Sequence, residues 1–502
     1  MKRNYLFYIV LFLVGTTTFG CEKYLKELPQ NKLMPTTTDD YDQLLNRAYL
    51  SEQVTPYLDF LADDFSFTMA DRRPEGGNQS DVMFSAFMWF DHHEETLSNG
   101  DQAFRVFYEK IFLTNVVIKN IDNAIGVEMS ATNVRRTRNN ILGEAMVLRA
   151  YCYFYLVNLY AKHYDPATAA EDPGVPINLT DAVEDRPYTR SSVKEVYDLI
   201  VADLTQGIKL IEENPVTKNG KSKFYPLAAK AFLARVYLYM LEYDLAIEQA
   251  SAVIRENPNI FSLHPYSSLE RPTTEVAFAS GVSGTDYLAR GNDNVLLVCG
   301  VTEIYPWMSF WMTYGGFSIS AELDAQFDED DVRKYYFMFP HTQNVFNVTN
   351  TKLSYAKNRN ISFINSWSTG PAAGYSRVIR TEEMYLILAE ANARKSAPNI
   401  SSAIGYLNQL REPKFREGTY VPLVASNFNQ QSLIDYIAVE RRRELCFEGH
   451  RWFDLRRTTR PAMQRLGRND ELCSIKQDDP RYVLQIPMRE LSVNPQIGFN
   501  PR

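Results

Sequence analysis

No stretch of this 502-residue chain is long enough to cross a bilayer as a helix. The longest apolar run, Leu6 to Val14, falls well short of the ~20 residues that a span requires. Positive charge is also scarce. With 53 Lys and Arg against 61 Asp and Glu, the net charge is −8, which excludes a nucleic-acid partner because phosphate binding needs a basic face. Only six histidines and five cysteines are present, with no CxxC pair and no metal spacing, so no structural zinc is expected. His92 and His93 are neighbours and cannot act as a helical metal pair. Ser280-Gly281 and Ser283-Gly284 lack the GxSxG elbow of a serine hydrolase, and no pair among 61 carboxylates stands out as a glycosidase acid and nucleophile. Asp328 to Asp331 offers hard oxygens for calcium but no EF-hand spacing or loop glycine, so a solvated acidic helix start is the expectation. No catalytic residue, cofactor or metal is assigned. Low-complexity tracts are missing too, so a packed globular core is expected from a chain that is 45% hydrophobic.

What is present begins with a processing signal. Lys2 and Arg3 precede the short apolar run, and Gly20 precedes Cys21, as a bacterial lipoprotein signal peptidase requires. Thr18 and Phe19 depart from the usual residues at their positions. Residues 1–20 read as a signal peptide, Cys21 as the lipidated residue and 21–38 as a tether carrying Pro29 and Pro35. Cys152 and Cys446 lie in apolar helical runs, where a free thiol behaves as a small hydrophobe. No essential disulfide is expected, although a Cys446–Cys473 bridge stays open.

Helical periodicity starts at Asp39 and continues to about Ser51, then resumes from Phe104 to Ala124, with an irregular aromatic stretch from Pro56 to Gly100 between them. From Pro226 to Pro258, residues Leu233, Ala234, Tyr237, Ala246, Ala250 and Pro258 fall at tetratricopeptide spacings. Small residues there let two antiparallel helices approach closely, and Tyr237 fills a groove between neighbours. Arg380 to Glu412 fits the same template through Tyr385, Leu388, Ala389, Ala403, Leu407 and Leu410. Weaker units are Glu144–Ala161 paired with Val193–Glu212, and Ser432–Phe447. The expected fold is mostly α: repeat helices at about 141–258 and 380–447, interrupted at about 259–374 by loops and short strands such as Glu275–Ala279 and Val295–Val298. Binding function usually sits on such an insertion.

The densest signal is Arg441 to Arg457, RRRELCFEGHRWFDLRR. Six arginines surround Leu445, Phe447, Trp452, Phe453 and Leu455, and the interleaved Glu440, Glu444, Glu448 and Asp454 predict partly buried ion pairs. Gly449 is placed to break the preceding helix. This run resembles the C-terminal signature of the SusD/RagB family. The likeness extends to EAMVLRAYCYFYLVNLYA from Glu144, TEVAF from Thr274, SISAELDAQFDEDDVRK from Ser318 and the closing YVLQIPMRELSVNPQIGFNP from Tyr482. The resemblance implies a repeat scaffold with an irregular ligand-facing half over residues 39–502. It also implies a lipid-anchored position in the outer membrane and a SusC-type TonB-dependent transporter as partner. The cargo it implies is a glycan, or an oligopeptide in relatives of RagB type.

Sugar capture needs flat rings for pyranose faces. Trp452 belongs to the signature and reads as core. Trp89, Trp307, Trp311 and Tyr314 lie in irregular segments and form the expected ligand-binding platform. Two other classes compete: a tetratricopeptide adaptor for proteins, which predicts a bare repeat array, and a hydrolase, which predicts turnover abolished by one carboxylate change.

Overall fold

The structure is a computed structural model, and it describes residues 35–49, 54–55, 57–67, 78–91, 102–127, 129–184, 186–217, 221–271, 287–299, 317–345, 348–355, 357, 378–467 and 471–502. The signal peptide, Cys21 and the tether to residue 34 lie outside them, as do His92, His93 and the strand expected at Glu275–Ala279.

Helices dominate. In chain order they open with α1 (Thr38–Ala48), α2 (Leu58–Leu61), strand β1 (Phe65–Phe67), α3 (Asn78–Phe87) and α4 (Gln102–Asn120). The scaffold proper follows as α5 (Ala131–Tyr160), α6 (Val193–Glu213), α7 (Pro226–Tyr239) and α8 (Tyr243–Glu256). The insertion holds β2 (Val295–Val298), β3 (Phe317–Ile319), α9 (Ala321–Ala325), α10 (Arg333–Phe337), the hairpin β4 (Met338–Val345) with β5 (Val348–Tyr355), and β6 (Val378–Arg380). The chain ends with α11 (Thr381–Arg394), α12 (Ile400–Arg411), α13 (Gln430–Leu445), α14 (Arg451–Arg457), hairpin β7 (Met463–Leu466) and β8 (Leu472–Ile475), and α15 (Met488–Val493).

Local chemistry explains the helix starts. Thr37 with Asp40, Ser192 with Glu195 and Asn429 with Ser432 close reciprocal capping boxes at α1, α6 and α13. Pro226 opens α7 at its first turn, where the missing N–H costs nothing. Asn257 caps α8, and Pro258 follows where the helix must stop.

Both template-matching stretches fold as helix pairs, α7 with α8 and α11 with α12, and α11 also packs on α8 and α13. Ala234, Ala246, Ala250, Ala389 and Ala403 are fully buried at these contacts. The pair α5–α6 is closer still. A Cβ on Gly143 would lie 2.7 Å from the Gly207 carbonyl oxygen, and one on Gly207 would lie 2.7 Å from that of Gly143. These helices therefore touch backbone to backbone.

Several boundaries differ from expectation. The helix read from Glu144 begins at Ala131, because Ser130 supplies the cap. The stretch from Pro56 to Gly100 contains the ten-residue α3, whose weak amphipathicity hid its period. Gly449 has φ of 75°, but α13 stops earlier, at Leu445, and Phe447 takes φ of 63° without being glycine. Cys446 and Cys473 are both free thiols. Asp328, Glu329 and Asp330 are exposed just ahead of α10, as expected of a solvated acidic helix start, with Asp328 and Asp330 pairing with Arg411 and Arg416; Asp331 departs, wholly buried against Arg333.

Candidate ligand face and the charged knot beneath it

Two short sheets fix where three connecting stretches begin or end. In one, β1 pairs antiparallel with β3, so that Phe67 faces Phe317; in the other, β2 pairs with β6, so that Val298 faces Val378. The chain therefore leaves β1 beside the point where it enters β3, and leaves β2 beside the point where it enters β6. Residues 68–77, 300–316 and 358–377 are rooted at these two places. Trp307, Trp311 and Tyr314 belong to the second of these stretches and lie outside the described residues.

The roots rest on aromatic and ionic packing. Phe317 meets Phe60, Phe67 and Phe87 edge-on, with ring centroids 4.8 to 5.3 Å apart. Beneath β6 the contacts become ionic. Glu444 and Glu448, on and just after α13, receive cations from three parts of the insertion. Arg380 donates to Glu444 at 2.5 Å and to Glu448 at 2.8 Å. Lys357 donates to Glu448 and to the Glu444 carbonyl at 2.7 Å. Arg333 donates to the other Glu444 oxygen at 2.8 Å and lies 2.7 Å from Glu440. Tyr287 gives its hydroxyl to Glu444 at 2.7 Å and its N–H to the Lys357 carbonyl at 2.9 Å. Lys414 completes the knot against Glu382, which also accepts from the Asn294 side chain.

Every charged side chain in this knot is buried. Burial alone would neutralise Glu444, yet Lys414, Arg380 and Arg333 hold it well below the usual carboxylate range. Glu440 feels the same opposition and settles at about 2 beside Arg333 and Arg411. Burial lowers the Lys414 ammonium, with Glu444 and Glu382 pulling the other way. The knot binds the insertion to the repeat scaffold; no proton or electron chemistry follows from it.

The signature arginines serve the same end. Arg442 reaches Asp64 and Glu322 at 2.8 Å, Arg451 grips Asp63 at 2.7 and 2.8 Å, and Arg457 forks onto Glu390 at 2.8 and 2.7 Å. Arg441 pairs with Asp454 at 2.8 Å, and Arg456 donates to the Tyr482 carbonyl at 2.9 Å. Trp452 is 1% exposed and stacks on Tyr482 with centroids 4.9 Å apart, in the core as its motif suggested. The signature is a fastening, with partners drawn from residues up to 390 positions away in sequence.

Trp89 is 3% exposed. Its indole N–H donates to the Leu61 carbonyl at 3.0 Å, and the Arg465 guanidinium lies 3.9 Å from its ring centroid. That ring is largely enclosed and forms part of the wall of a small cleft. The next residue is open to solvent: Phe90 is 41% exposed, on the same cleft, shared with Asp91, Arg481, Gln485 and Arg502. Phe90 escaped the sequence reading because a phenylalanine beside a tryptophan carries no distinguishing signal. Lys357, Arg380 and Arg333 escaped it because isolated cations far apart in sequence do not announce a shared partner. Among the described residues no cluster of His, Cys, Asp and Glu could hold a metal ion, and no helix could cross a membrane.

Residues 23–238 match a family model described as "Starch-binding associating with outer membrane", and residues 304–502 match that of the "SusD family". The chain is 24% identical over 488 residues to SusD-like protein P2 of Formosa agariphila, covering 91% of both. A SusD superfamily protein from Bacteroides vulgatus superposes with a TM-score of 0.70 at 20% identity, over 93% of this chain and 99% of that one. A structure titled a SusD-like carbohydrate binding protein, also from Bacteroides vulgatus, gives a TM-score of 0.67 at 21% identity, over 92% and 97%. At such identities the structural likenesses establish the fold.

Proposed function

The chain belongs to the SusD/RagB family of non-enzymatic binding proteins, and from that membership we propose that it captures glycans at the outer surface of the outer membrane. In this reading Cys21 carries the lipid, the tether is the part of 21–38 that precedes Thr36, since Thr36 to Thr38 already join the fold beside Ile125, and the cargo passes to a SusC-type TonB-dependent transporter. The observation that carries the reading is the rooting of 300–316, with Trp307, Trp311 and Tyr314, between two short sheets fastened to the scaffold by the buried knot. A rigid base lets loop aromatics meet a sugar face with little ordering cost. The matched family model's starch-binding description and the carbohydrate-binding relative favour a glycan. An oligopeptide is the second cargo, since the resemblance extends to relatives of RagB type.

A binding screen of the chain from Glu22 against glycan and peptide libraries, followed by calorimetry on the hits, tests this. A glycan hit that binds reversibly without turnover is expected. Binding confined to peptides transfers the same role to peptide cargo, and turnover of any ligand overturns it.

A further inference from the structure

We propose that the loop 124–130, with the first turns of α5, is a second membrane contact that lays its apolar tip on the lipid surface beside the acylated terminus. Ile125, Val127 and Met129 are 59%, 61% and 40% exposed, three apolar side chains within five residues. Scattered exposed aliphatics are ordinary; an alternating group on one short loop is not.

The loop is held rigidly. A Cβ on Gly126 would run into Val134 and Met129, so the turn sits hard against α5, and the Arg138 side chain donates to the Ala124 carbonyl at 2.6 Å. Burial along α5 begins only at Asn140. Along 131–139 Val134, Thr137, Arg138 and Asn139 are half-buried and Asn139 donates to the Asn214 side chain at 3.2 Å, so the first turns of α5 back the loop on one face and stay open on the other. Exposed Arg135 and Arg136 flank it, as do the exposed Asp39 and Asp122 and, in sequence, Glu128, so the apolar tip and not net charge is the attractive element.

The position of the loop selects the occupant. Thr37 bridges Ile125 in parallel, with Thr38 N–H donating to the Ile125 carbonyl and Ile125 N–H to that of Thr36, both at 2.9 Å. The chain enters the fold against this loop, and residues 22–34 span at most about 45 Å back to Cys21. Acylation would hold this end of the molecule at the bilayer, where a tether raises the effective concentration of a weak second contact. Three side chains fall far short of the ~800 Å² per partner of a standard protein interface, but they suffice for an interfacial contact. The inference rests on the lipid-anchor reading.

The test places an environment-sensitive fluorophore at Val127→Cys, with Val421→Cys, exposed on another loop, as the control. Cys152, Cys299 and Cys446 are buried, and labelled wild-type protein measures the background from Cys473. The lipidated full chain is mixed with vesicles of equal parts phosphatidylcholine and phosphatidylglycerol. A blue shift at 127, with quenching by brominated lipid at least about threefold stronger than at 421, is expected. A water-like 127 probe on protein that sediments with the vesicles overturns the loop contact while leaving the anchor intact. A shift that appears only when the transporter is added overturns it in favour of a protein interface. If the full chain fails to sediment, the anchor reading has failed. The loop is then tested on the chain from Glu22, which retains every described element, tethered by an N-terminal His-tag to nickel-chelating lipid. A shift there sustains the loop contact, and its absence overturns it.

Discussion

The helix pair α7–α8 and the segment α13–α14 belong to one scaffold, yet opposite means hold them. On α7 the buried positions are chiefly Ala, Leu, Val and Phe, and Arg235, paired with Glu383, is the charged exception. On α13, Glu440, Arg441, Arg442, Arg443 and Glu444 are buried in succession. The neighbours account for the difference. Helices pack closely through small side chains and satisfy their own backbones. Irregular segments cannot, and they leave carbonyls and carboxylates that need long donors. Arg442 takes the Asp63 carbonyl at 2.9 Å and Arg443 that of Gln326 at 2.5 Å. Charge is concentrated where the repeat array meets non-repeating chain.

Acid should break this comparison most forcefully. Glu440, Glu444, Glu448 and Glu390 all ionise below their unfolded range, held down by Arg and Lys partners against the cost of burial. For a depressed carboxylate the stabilisation is complete above the unfolded value near 4.5 and is lost as pH falls through the folded value, about 2 for Glu440. Melting temperature should collapse across that window. Asp59 runs the other way. Burial and the nearby Asp64 raise it to about 7, so its contribution is present in acid and lost as pH rises through 7. Asp59→Asn should flatten a decline in stability between about pH 4 and 7 without altering the acid limb below it. A melting temperature unchanged down to about pH 2 contradicts the ionic account of the knot.

Removing one member of the knot comes next. Glu444→Ala would leave Arg380 and Arg333 buried and short of a partner, a loss of about 3–5 kcal/mol. Denaturant unfolding measures it, and a loss under 1 kcal/mol would mean that water or a side-chain shift relieves the cations. The helical side has its own weak point at Gly207. Alanine there must displace the Gly143 carbonyl or part α5 from α6, costing about 1–3 kcal/mol with no change in the acid limb.

Much of the scaffold was legible because helical period and small-residue spacing are local properties. Pro226, Ala234, Ala246 and Pro258 each sit where the helix pair requires them. The interleaved charges of the signature announced buried pairing, yet not its partners: Arg333 and Glu444 are 111 residues apart, and nothing local links them. Trp89 shows the limit for the candidate site. A tryptophan in an aperiodic segment reads the same whether it faces cargo or props up its own loop. Only the Leu61 carbonyl and Arg465, distant in sequence, show that its ring is enclosed.

The smallest effect on stability separates scaffold from cargo capture. Trp307 and Trp311 lie in a stretch whose two ends adjoin the paired strands β2 and β3. Replacing both with Ala should leave the melting temperature nearly unchanged. Each ring on a sugar face is worth ~1–2 kcal/mol, because it buries apolar area in a partly wet site. Their joint loss should weaken the cargo found by screening at least about tenfold. Ionic strength sharpens the reading: a neutral glycan keeps its affinity in moderate salt, whereas a charged peptide or acidic glycan loses it as the Debye length shrinks. Calorimetry with a parallel melt decides among the outcomes. Unchanged affinity with a native melt removes these two rings from the binding face. A large fall in melting temperature makes them part of the packing, as Trp89 is, and the cleft at Phe90, Arg481 and Gln485 then becomes the surface to mutate next.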